Sequence, residues 1–232
     1  MTSAAPRDPG PGSRAVRKRA TYHHGDLRRA LLEASLELAR QGGPDAVVLR
    51  EATRRVGVSA NAAYRHFADR DALLASVASR AQARAADVIA EAIAAVPDRD
   101  DRRTVARERF RAVGQGYLRF ALTEPGLFRT AFGVPTDLSR ATSPEAAGQG
   151  GRTPFQLLSD RLDAMVEAGA MSADRRPGAE LLAWSAVHGL AMLALDGPLR
   201  GMSSAAIQRI VPRLVQMVDL GLGVIEAPAR GR

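Results

Sequence analysis

Three places in this chain hold side chains whose types and spacing could do chemistry. His23, His24 and Asp26 fall close together near the start, an imidazole and carboxylate grouping that suggests a metal site or a general base. Adjacent residues leave a helix in different directions and no third ligand stands nearby, so a solvated helix start accounts for the group and no metal is assigned. His188 follows Trp184 by one turn within Leu181 to Leu195, the most apolar run of the sequence. It reads either as a core histidine hydrogen-bonded internally or as a donor lining a cavity. Neither place offers a nucleophile beside a base or a pair of carboxylates at a working spacing. The sequence contains no cysteine, which removes disulfides, thiolate catalysis, iron–sulfur clusters and cysteine zinc sites. No catalytic residue and no cofactor are assigned, and a non-enzymatic protein is expected.

The third place is residues 49–67, LREATRRVGVSANAAYRHF. Leu49, Ala52 and Val56 recur at helical spacing, Gly57 permits the positive φ that ends a helix, and Ser59 caps the next by accepting from a free amide. The spacing predicts a helix-turn-helix. Its second helix is about two turns long and is kept slim by Ala60, Asn61, Ala62 and Ala63, so that it fits a major groove roughly 12 Å wide. An ordinary helical hairpin has the same spacing, and the surrounding elements have to decide between them.

Those elements are helical throughout. Ala and Leu dominate, aromatics are 4% of residues, and β-branched runs are absent, which predicts an all-α fold. Residues 1–20, rich in Pro, Gly, Ser and Arg, read as a disordered basic arm without the apolar core of a secretory signal, and 227–232 as a disordered tail. A helix at 24–41 with Leu27, Leu31, Ala34 and Leu38 on one face roofs the pair. Asp69 caps a long connecting helix that reaches about Val96, where Pro97 and DRDD stop it. Further helices are read at about 102–123, 124–132, 154–170, 178–196 and 203–224. Between the second and third of these, residues 133–154 carry the Gly, Ser, Thr and Pro of a mobile loop. Pro212 lies inside the last amphipathic pattern and either kinks that helix or marks its start. The domains are therefore drawn at 21–68 and 69–226, with 69–96 as the connecting helix. The Leu181–Leu195 run is short of the about 20 residues that span a bilayer, so no membrane span is expected, and the absence of cysteine and of a secretory signal suits a cytoplasmic location.

Net charge is +8 and unevenly placed: residues 1–80 hold 14 Lys or Arg against 8 Asp or Glu, and the remainder 19 against 17. The basic excess belongs to the third that carries the helix pair, as a phosphate-binding surface requires.

In element order, spacing and the Tyr-x-His-Phe ending, residues 21 to about 78 resemble the DNA-binding domain of the TetR family of transcriptional regulators. The segment is TYHHGDLRRALLEASLELARQGGPDAVVLREATRRVGVSANAAYRHFADRDALL. AWSAVHGLAML at 183–193, with Trp184, His188 and Gly189 in a W-x-x-x-H-G arrangement, resembles the WHG type of ligand-binding domain in that family, and EPGLFRTAFG at 124–133 its short helix before the loop. The resemblance implies a homodimer joined through the last two helices, which binds a palindromic operator in double-stranded DNA and is released by a small-molecule effector, most simply as a repressor. A helical enzyme or small-molecule-binding protein built around His188, and a sequence-indifferent DNA-packaging protein, are the alternatives.

Carried over by position, Ser59, Asn61, Tyr64 and His66 contact DNA, with Tyr64 and His66 on phosphate. Arg50, Arg65 and Arg70 add phosphate contacts, Arg70 as a fork. Asn61 can pair bidentately with adenine. Phe67 packs beneath the turn. Val48 stands where the family has a capping Ser or Thr, and Ala63 where it has a larger apolar residue. Tyr117, Phe120, Phe128, Phe132, Met165, Trp184 and His188 are the candidates for an effector pocket that suits an apolar or aromatic compound.

Overall fold

The computed structural model describes residues 24–133 and 141–223, and the expected basic arm and tail lie outside them. All regular structure in the described residues is helical. Helix α1 (His24–Gly42) is followed by α2 (Leu49–Val56), α3 (Ala60–Tyr64) and the long α4 (Arg70–Ala94). A bundle then follows: α5 (Arg102–Thr123), α6 (Pro125–Phe132), α7 (Pro154–Glu167), α8 (Ala179–Leu195) and α9 (Ser204–Leu222). The starts are written in side chains. Asp69 accepts from the Ala72 amide, Asp101 from those of Arg103 and Thr104, and Ser203 from that of Ala206, while Thr153 and Gln156 form a reciprocal capping box.

The first four helices close on Leu31, Leu38, Val47, Leu49, Phe67 and Leu73, all buried. Phe67 lies beneath the turn as expected, with the Arg28 guanidinium 5.0 Å from its ring centroid. Ala63 is fully buried on the inner side of α3. From this head, α4 runs on into the bundle, where it packs on α5, α6 and α7.

Two features differ from or refine the sequence reading. Residues 141–153, read as part of a mobile loop, pack on α4: Pro144–Ala146 forms a 3-10 turn, Ala146 is fully buried, and the Gln149 amide donates to Asp87 Oδ1 at 2.7 Å. Gly148 sits so close to α4 that a Cβ there would stand 3.1 Å from the Ala83 carbonyl oxygen. The glycine that suggests a loop serves close packing. Residues 134–140 lie outside the described residues. Pro212 falls within α9, so it does not mark the start of that helix.

A neutral polar network lies in the bundle interior. Trp184 Nε1 donates to the Tyr117 hydroxyl oxygen at 3.2 Å, and that hydroxyl lies 2.9 Å from His188 Nδ1. The indole can only donate, so the Tyr117 oxygen accepts from Trp184, and the phenol and the imidazole share one further hydrogen bond whose direction follows the His188 tautomer. Burial pushes the His188 pKa down and the Tyr117 pKa up, so both remain neutral near pH 7.

The head and the bundle meet where α6 begins. Gly126 lies against the last turn of α1, and a Cβ there would press on the Ala39 carbonyl oxygen and stand 2.5 Å from that of Arg40. Glu124, just before α6, bonds Arg40 of α1 at 3.4 Å and Arg84 of α4 at 3.0 Å.

Two outcomes follow from these contacts. Gly126→Ala is expected to cost about 1–3 kcal/mol of stability, because the obstruction is backbone and cannot swing away; an unchanged melting temperature would mean that α1 and α6 part freely. For His188, a folded pKa below the unfolded value of 6.5 means that the unfolded chain takes up the proton first as pH falls. Stability should therefore be insensitive to this group above about pH 6.5 and decline below it through the folded pKa. His188→Gln, which keeps a hydrogen-bond partner for Tyr117, should lose that part of the decline between pH 7 and 5, seen as a melting-temperature difference from the parent that narrows with acidity.

Candidate functional site: an exposed short helix and an internal cavity

The helix-turn-helix is built as its sequence predicts. Gly57 adopts φ 76°, its amide bonds the Thr53 carbonyl at 2.9 Å, and the Val58 amide bonds the same oxygen at 3.0 Å, which turns the chain out of α2. Ser59 then caps α3 through its Oγ, which accepts from the Ala62 amide at 3.3 Å. Only Ala63 of α3 is buried; Asn61 and Tyr64 project to solvent, Tyr64 being 55% exposed. His66 is half-buried.

The cations around this helix divide into engaged and available ones. Glu51 bonds both Arg54 and Arg55, and these guanidiniums hold its carboxyl at about 2. Arg55 also donates to Gln41. Arg50 and Arg65, by contrast, are exposed and have no hydrogen-bond or ion-pair partner among the described residues, which leaves both guanidiniums open to phosphate. The fork expected at Arg70 is engaged differently: Nε donates to the Val47 carbonyl at 2.9 Å and Nη2 to that of Pro44 at 2.8 Å. Arg70 thus ties the start of α4 to the chain entering α2, because the 3-10 turn Pro44–Ala46 aims carbonyls at it. Val48 stands at the N-cap of α2 without a side-chain cap bond, as its apolar side chain requires.

The second feature is a cavity of about 310 Å³ in the bundle, between α4, α5, α6, α7, α8 and α9. Of the residues expected there, Tyr117, Phe132 and Trp184 line it. Phe120, Phe128, Met165 and His188 do not. Phe128 stacks edge-on against Tyr117 with centroids 5.5 Å apart, while Phe120 and Met165 are fully buried core. His188 stands behind the wall and acts on it through Tyr117.

The sequence reading missed Phe110, Phe155, Val187, Gln82 and Arg111 in the lining. Arg111 is the one charged side chain among the described lining residues. It bonds Asp219, which is fully buried on α9. The available signal was Asp219 itself, an acid at a buried position in the apolar pattern of α9 that demands a cation. Gln82 of α4 donates to the Ala131 carbonyl at 2.8 Å and so fixes the end of α6 at the cavity wall.

Comparison with known proteins agrees with this architecture. Residues 31–77 match the model described as bacterial regulatory proteins, tetR family, and residues 110–218 the one described as tetracyclin repressor-like, C-terminal domain. No curated protein matches the chain in sequence. Among solved structures, a protein of unknown function from Rhodococcus sp. RHA1 is similar at 28% identity, with 88% of this chain and 99% of that one covered and a TM-score of 0.66. A TetR-family transcriptional regulator from Pectobacterium atrosepticum (16% identity, 90% and 100% covered, TM-score 0.58) shares the fold. So does one from Marinobacter aquaeolei VT8 (19%, 86% and 96%, TM-score 0.56). With a helix-turn-helix head and a helical C-terminal domain each matched by the corresponding family model, the chain belongs to the TetR family of DNA-binding transcriptional regulators.

Proposed function

We propose that the protein is a ligand-released repressor that binds a palindromic operator as a homodimer, with α3 in the major groove and an apolar or aromatic effector in the bundle cavity. The observation that carries the DNA reading is the outward face of α3, where Asn61 and Tyr64 are exposed, together with the exposed Arg50 and Arg65, which have no partner among the described residues. Asn61 reads a base, while Arg50, Ser59, Tyr64, Arg65 and His66 hold phosphates and set the register. Arg70 positions rather than binds, through its bonds to Pro44 and Val47.

The dimer forms through α8 and α9. Leu181, Leu182 and Leu193 of α8, and Met217 and Leu220 of α9, are 44 to 64% exposed, an apolar face of the kind that association covers. Ligand response rests on α6, which presents Ala131 and Phe132 to the cavity at one end and Gly126 to α1 at the other. An effector that shifts α6 tilts the heads, and operator binding fails once the paired α3 helices leave a spacing of about 34–36 Å.

Three measurements bear on this reading. The protein should retard its own upstream DNA at a salt concentration where random DNA of equal length no longer binds; equal retardation of both contradicts operator recognition. Asn61→Ala should relax preference at one base position per half-site by about 1–3 kcal/mol, and Arg50→Ala should weaken all sequences alike and lower the salt slope by about one. Leu182→Glu combined with Met217→Glu should convert the dimer to monomer in sedimentation and abolish operator binding, whereas a persisting dimer would place the interface elsewhere.

A further inference from the structure

We infer that the effector is an organic acid, with an apolar or aromatic body and one carboxylate directed at Arg111; this rests on the cavity being the effector site. The cavity is lined mainly by apolar side chains, including Phe110, Phe132, Phe155 and Trp184, yet one guanidinium enters its wall. Arg111 serves the buried Asp219, and as the one charged side chain among the described lining residues it also brings a cation to the edge of the ligand space.

The balance at Arg111 is incomplete. Arg107 and Arg111 lie one turn apart on α5 and both address Asp219: Arg111 Nε donates to Oδ2 at 2.6 Å with Nη2 also paired to it, and Arg107 Nε donates to Oδ2 at 3.2 Å and stands 3.1 Å from Oδ1. Asp219 is fully buried, and neither arginine has another carboxylate partner among the described residues. Two cations therefore share one anion, which leaves a net positive charge beside the cavity. Arg111 Nη1 makes no bond among the described residues. A second carboxylate completes this cluster without displacing Asp219, and its apolar remainder lies against the aromatic wall. Bidentate and charge-assisted pairing makes a carboxylate the fitting group, and a neutral ligand of the same shape leaves the excess charge uncompensated.

The same cluster connects the ligand to α9. Asp219, Val215 and Val218 all belong to that helix, and the two valines line the cavity. An acid at Arg111 therefore acts on the α5–α9 junction as well as on α6.

The test uses the one tryptophan of the chain, Trp184, which lines the cavity and reports occupancy by its emission. Decanoate and 4-phenylbutyrate are titrated at pH 7.5 beside decanamide and 4-phenylbutyramide, with melting temperature as a second readout. Each acid is expected to bind at least tenfold more tightly than its amide. Arg111→Met should bring the acid down to the level of the amide and leave the amide within twofold of its affinity for the parent protein. Because that change leaves Asp219 with a single cation, the double variant Arg111→Met with Asp219→Asn is measured alongside and should show the same loss of preference. Equal binding of acid and amide by the parent protein would overturn the inference while leaving an effector cavity in place. Acid preference that survives in both variants would overturn the role of Arg111. If none of the four compounds alters Trp184 emission or melting temperature, the inference falls together with the cavity reading.

Discussion

The close approach of α6 to the last turn of α1 is the constraint on which the rest of the molecule depends. At Gly126 the two backbones come nearer than any side chain permits, and Glu124 ties the same junction to Arg40 of α1 and Arg84 of α4. A short helix held this tightly at one end has little freedom to bend. Its far end is held too, by Gln82 on the Ala131 carbonyl and by Arg129 on Asp196 and the Leu195 carbonyl of α8. On the proposed function, a displacement of α6 at the cavity is expected to reach the head as motion of α1, because packed interfaces shift between arrangements rather than deform smoothly.

The bundle around α6 is organised by α5, which carries both kinds of contact that the cavity needs. Gly116 brings α4 close, with a Cβ there 2.8 Å from the Ile89 Cα, and Gly114 admits Val215 of α9. On other faces α5 places Tyr117 in the network with Trp184 and His188, and Arg107 and Arg111 on the buried Asp219. The cavity is thus a mainly apolar chamber bordered by the neutral Tyr117–Trp184 pair, the Gln82 amide and the cationic Arg111. Their difference in charge decides what a ligand must carry.

Much of this was legible in the sequence. Gly57, Ser59 and Asp69 act locally, through a left-handed turn and two caps, so the helix-turn-helix and the start of α4 follow from a few residues. The start of α5 at Asp101 and that of α7 at Thr153 obey the same logic. What was not legible depends on contacts between residues far apart in the chain. Arg70 looks like any cation at a helix start until Pro44 and Val47 are brought to it. The Gly and Pro content of 141–153 describes a loop, and only the surface of α4 shows that it packs. Phe128, Met165 and His188 have cavity-like chemistry but face into the core or lie behind Tyr117, a distinction that helical spacing does not carry. Arg111 was hidden among many arginines, and its role becomes visible only through Asp219 across the bundle.

The most direct measurement of the central claim, that α6 couples the DNA-binding head to the cavity, is hydrogen exchange along the whole chain with and without the upstream DNA. Coupling is reciprocal, so whatever links cavity to head must also let DNA act on the cavity wall. DNA bound at α3 is expected to alter exchange in α2 and α3, and also at the α6 amides up to Phe132. A response confined to residues 49–70, with α6 unchanged, would contradict the account.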